Sequence, residues 1–160
     1  MIAQSSLGPS QEEITIVMPI FNQSDIIIRN LTSLVDSLEL KARVILIDDA
    51  SYDSSFDLIS KSLDLLCAIK PVAIEIHRFR RSKFETHCDK FGISLARTKY
   101  VIEVQSDMQV KDMGFDSRLV ACMVSHPDLI AVSGRGVQPL SEPVDYFITT
   151  AGSDRSRGQS

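Results

Sequence analysis

Short apolar runs of strand length alternate along this chain with stretches whose apolar residues recur every three or four positions, and few folds accommodate that alternation. Ile14 to Ile20, Val44 to Ile47, Val72 to His77, Tyr100 to Val104 and Leu129 to Ser133 read as strands rich in β-branched residues. Between them, Ile27, Leu31, Leu34, Val35 and Leu38 form one helical stripe, with Ser24 or Asp25 as its expected N-cap. Phe56, Ile59, Leu63 and Leu66 form a second stripe, capped from Tyr52 to Ser55. Phe84, Cys88, Phe91 and Leu95 form a third, and Phe115, Leu119 and Met123 a fourth. Strand and helix in strict alternation predict an α/β fold, a mostly parallel, doubly wound, Rossmann-like sheet with helices on both faces. The expected organisation is a flexible lead-in over 1–13, one domain over 14–136 and an irregular tail over 137–160.

A chain of 160 residues that is 44% hydrophobic can bury a core without covalent staples. Its net charge of −4 argues against a nucleic-acid partner, which a domain-wide basic excess would signal. Cys67, Cys88 and Cys122 are scattered and form no C-x-x-C pair, so they read as reduced thiols. The first residues carry no basic start followed by an apolar stretch, and no apolar run reaches membrane-spanning length. A cytoplasmic chain, peripheral at a membrane at most, is the expectation.

Chemistry concentrates at the strand ends. The first strand stops at Pro19-Ile20-Phe21-Asn22, the second at Asp48-Asp49-Ala50-Ser51, and the fourth at Gln105-Ser106-Asp107. Ligands of open α/β sheets gather outside the carboxyl ends of the strands, so these segments should share one crevice. Asp107 is the first candidate for a metal ligand, and the plainer reading is a cap on the following turn. Adjacent acids such as Asp48 and Asp49 repel unless donors or a cation share them. The basic run from His77 to Lys83 is either solvated surface or a source of cations for a diphosphate through Arg78, Arg80 or Lys83. Glu75 and His77 are expected on the wetter face of the third strand. A nucleoside diphosphate suits the set: one carboxylate reads base or ribose, and another holds the cation that bridges the phosphates.

The chain resembles the family 2 glycosyltransferases of the GT-A fold in three places. Ile14-Thr15-Ile16-Val17-Met18-Pro19-Ile20-Phe21-Asn22 is similar to that family's opening strand and P-x-Y-N turn. Val44 to Asp53 is similar to its V-D-D-G-S-x-D segment, and Gly92 to Ile102 to its G-I-x-x-A-x-G-E-Y-I approach to the metal strand. The resemblance covers about 14–136 and implies an inverting transferase of sugar from a nucleoside diphosphate sugar, chiefly a UDP-sugar, to the hydroxyl of an unknown acceptor glycan, lipid or protein. It implies a nucleotide site of Pro19, Phe21, Asn22, Asp48, Asp49, Ser51, Gln105 and Ser106, with Asp49 on the nucleobase. Asp107 would match the last acid of D-x-D and hold Mn2+ or Mg2+.

Two departures stand out. Gln105 occupies the place of the first acid of D-x-D, and Cys88-Asp89-Lys90 replaces the family's A-R-N triplet. Glu142 and Asp145 are weak candidates for a general base, which is expected beyond residue 160 together with the acceptor-binding half. The main alternative is a nucleotide-sugar-binding module whose chemistry has lapsed. A receiver-like phosphoacceptor is less favoured, since its acid pair should follow the first strand. No glycine-rich loop follows that strand, which argues against pyrophosphorylases, dinucleotide enzymes and P-loop enzymes.

Overall fold

The computed structural model describes residues 2–4, 12–134 and 148–150. The chain divides into two compact units, 1–114 and 115–160. In the first, the order is β1 (Ile2–Gln4), β2 (Ile14–Ile20), α1 (Ile27–Ser37), β3 (Ala42–Asp48), α2 (Ser55–Ile69), β4 (Ala73–Arg78), α3 (Glu85–Leu95) and β5 (Tyr100–Glu103). The second holds α4 (Phe115–Ser125), β6 (Leu129–Val132) and β7 (Ile148–Thr150).

The five strands of the first unit lie in the order β1-β4-β3-β2-β5. β2 pairs in parallel with β3 on one side and with β5 on the other, and β4 runs parallel to β3. From β2 to β3 to β4 the chain steps in one direction, and then it jumps back past β2 to lay down β5. Right-handed crossovers put α1 and α2 on one face and α3 on the other, so the winding reverses between β2 and β5. The packing agrees, with α1 against α2 and α3 against β2 and β3.

Every residue of β2 is buried, and the largest core side chains include Ile14, Ile16, Met18, Ile45, Leu46 and Ile47. Gly92 sits where α3 crosses β2. A Cβ there would lie 2.4 Å from Cγ1 of Val17, so only glycine lets the helix come this close. Pro19 is tolerated inside β2 for a backbone reason. Ile20 turns its carbonyl toward β3, accepting from Asp49 N at 2.9 Å, and Val17 turns its carbonyl toward Val104 N at 3.0 Å. Alternation points position 19 toward β5, just past the last bond of that ladder, where no partner is lost.

Several expectations change. Ile2–Gln4, within the expected lead-in, pairs antiparallel with β4, because the free edge of β4 can be covered by a strand too short to show a pattern. The Leu129 strand does not extend the main sheet. It pairs antiparallel with β7, and Ile148–Thr150 had been assigned to the irregular tail. Neither Ser24 nor Asp25 caps α1, whose N-cap is Ile26 without a side-chain bond. Both are drawn instead into a loop held by the next turn. Glu75 is buried, only 5% exposed, under α3, where Arg43 meets it at 2.7 Å. A buried partner cation makes that position possible for a carboxylate. Glu142 and Asp145 lie outside the described residues.

Candidate functional site

The turns after β2 and β3 are stitched together side chain to backbone. Asn22 N donates to Ser51 Oγ at 3.0 Å, and Tyr52 N donates back to Asn22 Oδ1 at 3.0 Å. Beside them, Gln23 N donates to Ser55 Oγ at 2.8 Å, and Ser24 N to Asp53 Oδ2 at 3.0 Å. The other oxygen of Asp53 accepts from Ser55 N at 2.9 Å. Burial pushes the Asp53 carboxyl up, but the hydrogen bonds from Ser55 and Ser24 outweigh it and hold it at about 2. Phe21 and Tyr52, both exposed, meet edge to face with ring centres 5.9 Å apart at the mouth of this turn pair.

Strain accompanies the stitching. Asn22 and Ala50 take left-handed backbone angles, φ 53° and 61°. Asparagine tolerates that region, whereas alanine crowds its Cβ against the backbone at a cost of about 1 kcal/mol. Ala50 occupies the glycine position of the V-D-D-G-S pattern, so the pattern's glycine has a steric origin.

Asp48 is fully buried, with Arg78 Nε 3.0 Å from Oδ2. Burial raises its pKa, opposed by Ser51 and Arg78. Arg78 also donates to Ser51 O at 2.6 Å and stacks over the Phe56 ring at 4.9 Å. Its guanidinium is therefore committed to the β3 turn, which corrects its expected place on a diphosphate. Arg80 and Lys83 do face solvent, lining a cleft of about 250 Å³ with Phe79, Arg81 and His87.

Asp49, 4% exposed, turns its carboxylate toward the loop after β4. Ser82 Oγ donates to Oδ2 at 2.6 Å, Lys83 N to Oδ1 at 2.6 Å, and Phe84 N to Oδ2 at 2.9 Å. The Cys88 thiol lies against the same group. Burial, then the charge and hydrogen bond of Asp49, push that thiol up to about 12, so it stays protonated. Phe84 has φ 66° and ψ 160°, a region that is nearly glycine-only, although its side chain is 80% exposed.

At the β5 end, Gln105 Nε2 donates to Glu85 Oε1 at 2.6 Å and to Glu103 Oε1 at 2.7 Å. An acid at 105 would have added a charge to those two carboxylates, and the amide binds both instead. Oxygens of Glu85, Asp89 and Glu103 lie within 4.8 Å of one another, and burial followed by Glu103 and Glu85 pushes Asp89 up to about 6. Ser106 is buried, its carbonyl accepting from Asn30 Nδ2 at 2.9 Å, and Asp107 beyond it is exposed. α1 holds the rest of this segment through Ser33 Oγ to Val110 O and Gly114 N to Ser37 O at 2.8 Å.

The fold thus gathers Pro19, Phe21, Asn22, Asp48, Asp49 and Ser51 at adjoining strand ends, with Gln105, Ser106 and Asp107 across the reversal of winding. Asn30, Asp53, Ser55 and Ser82 went unassigned in the sequence. Only Asn30 carried a signal, a polar residue interrupting the apolar stripe of α1.

Polar strand ends at a reversal of winding define an α/β ligand-binding domain, and its likeness to solved structures makes the fold GT-A. S. aureus TarS superposes with a TM-score of 0.61 at 19% identity, over 79% of this chain and 23% of that one. TarS 1–349 in complex with UDP gives 0.60 at 18% identity, over 73% of this chain and 34% of that one. Mannosyltransferase PcManGT from Pyrobaculum calidifontis, in complex with GDP-Man and Mn2+, gives 0.53 at 14% identity, over 61% and 28%. The chain spans well under half the length of these proteins. No curated protein matches its sequence. Residues 15–150 match glycosyl transferase family 2, and the chain belongs to that family. Among the described residues, no helix is long and apolar enough to cross a membrane.

Proposed function

We propose that this chain forms the donor-binding part of an inverting glycosyltransferase that takes sugar from a nucleoside diphosphate sugar, foremost a UDP-sugar, and passes it to an acceptor hydroxyl. The carrying observation is the meeting of three polar strand ends at the β2/β5 reversal in a family 2 chain. TarS 1–349 crystallised with UDP, and PcManGT with GDP-Man and Mn2+, supports a nucleotide sugar as the ligand.

In this reading the nucleoside packs against the turn pair of Phe21, Asn22 and Ser51, with the exposed rings of Phe21 and Tyr52 as apolar contacts. The pre-formed Asn22–Ser51 stitch means that the wall needs no ordering when ligand arrives. Asp107 holds the divalent cation, Mn2+ or Mg2+. A single exposed carboxylate fits such an ion, which takes one or two protein carboxylates and fills its shell with phosphate oxygens and water. The bound ion supplies Lewis-acid stabilisation of the departing diphosphate. Arg80 and Lys83 add positive charge from the cleft after β4.

Calorimetric titration with UDP tests this. Manganese should raise UDP affinity by roughly tenfold or more, and Asp107→Ala should abolish that gain without lowering the melting temperature, since an exposed carboxylate contributes little to folding. UDP binding indifferent to both changes defeats the assignment. The second reading, a binding module without turnover, draws on Gln105, whose amide is used between Glu85 and Glu103 rather than left for a cation. Release of UDP from UDP-sugar in the presence of acceptors separates the two.

A further inference from the structure

We infer that Asp49 is a positioning residue, which pins the Ser82–Glu85 segment across the strand ends and thereby sets Arg80, Arg81 and Lys83 for the phosphates of the ligand, instead of touching the nucleobase. The inference rests on the nucleotide-sugar reading above and assigns Asp49 a different task within it.

The first argument is capacity. An ionised carboxylate offers about four lone-pair positions. Ser82 Oγ, Lys83 N and Phe84 N fill three of them at 2.6 to 2.9 Å, and the Cys88 thiol lies against the group from below. A nucleobase N–H could reach Asp49 only by displacing one of these donors. The second argument is strain. Phe84 stands in a backbone region almost reserved for glycine, and its ring, 80% exposed, packs on too little to hold it there. The bond from its own N–H to Asp49 is what keeps that conformation.

The third argument is placement. Residues 82–84 are tied to the end of β3 by Asp49, and residue 85 is tied to the end of β5 by Gln105 at 2.6 Å. β2 lies between those strands, so the segment is a strap along the crevice with one anchor at each side. Arg80, Arg81 and Lys83 lie on or just before this strap and line one cleft, so its conformation decides where their charges point. Releasing the β3 anchor leaves the cations on a loop that must be ordered by the ligand itself, at the ligand's expense in affinity.

Amide hydrogen exchange on the ligand-free protein tests the pinning. Asp49→Asn should speed exchange at Lys83 and Phe84 by roughly tenfold or more, because bonds to a charged acceptor are lost, while β2 and β3 amides keep their protection. Ser82→Ala keeps the carboxylate, removes one donor and should give a smaller rise, which Ser82→Thr restores. Unchanged exchange in both Asp49→Asn and Ser82→Ala overturns the inference.

Titrations with UDP and with uridine, in one manganese buffer, test the consequence. Asp49→Asn should weaken UDP by about tenfold more than it weakens uridine, and adding Arg80→Ala to it should cost far less than Arg80→Ala costs alone. Equal losses for UDP and uridine place Asp49 on the base and overturn the positioning role. Wild-type protein that binds neither probe defeats the nucleotide-sugar reading and the affinity consequence with it, while the exchange result still decides the strap.

Discussion

The two sides of the crevice are built differently. On the β2/β3 side, fully buried strands run into turns joined by reciprocal bonds between Asn22, Ser51 and Tyr52 and between Gln23, Ser24, Asp53 and Ser55. On the β5 side, the strand is only four residues long and alternately half-buried and exposed, and it leads into an acidic group bridged by the Gln105 amide. One wall is therefore rigid before any ligand arrives, while the other carries carboxylates whose repulsion a cation would relieve. A donor site can use both kinds of wall, because a nucleoside rewards a fixed shape and a diphosphate rewards charge supplied at the moment of binding.

The sharpest way to break this contrast is to weaken each wall equally and compare. Ile45→Ala, deep between the sheet and α3, should cost about 2–5 kcal/mol in chemical denaturation. Val101→Ala, on β5 and 37% exposed, should cost less than about 1 kcal/mol. Comparable losses would mean that the β5 side is as tightly built as the other.

The strap between the walls offers a smaller effect with the opposite sign. Phe84→Gly should stabilise the fold by about 1 kcal/mol, since relief of 1–3 kcal/mol of backbone strain exceeds the added entropy of the unfolded glycine. Ala50→Gly, at φ 61°, should gain about half as much. A fall in melting temperature for both would show that neither backbone is strained.

The smallest effect is a pH dependence of opposite sign on the two sides. Asp53 sits at about 2 in the folded protein against an ordinary 3.8, so its contribution is present above about pH 4 and is lost as pH falls toward 2. Asp89 is raised to about 6, so between pH 4 and 6 the folded state holds a proton that the unfolded state has released, and stability declines as pH rises through that window. Stability curves of Asp53→Asn and Asp89→Asn should flatten below pH 4 and between pH 4 and 6 respectively. Flattening in the other window would reverse the assignment of the two walls.

Much of this architecture was legible in residue order, because β-branched runs and three-to-four spacing report local backbone preference and one buried face, and neither needs a partner to be known. So β2 to β5, α1 to α4 and the polar strand ends at Asn22, Asp48 and Asp107 follow from pattern alone. The partner of Leu129–Val132, the edge strand Ile2–Gln4 and the buried place of Glu75 did not follow, since strand pairing and burial depend on what arrives from elsewhere in the chain. The same holds at the site. Composition marked Asp49 and Arg78 as polar groups at a sheet edge, but a carboxylate accepts equally from a ligand or from a backbone amide, and a guanidinium pairs with whichever acid is nearer. Only the folded geometry, with Ser82 to Phe84 on Asp49 and Asp48 under Arg78, chose between those partners.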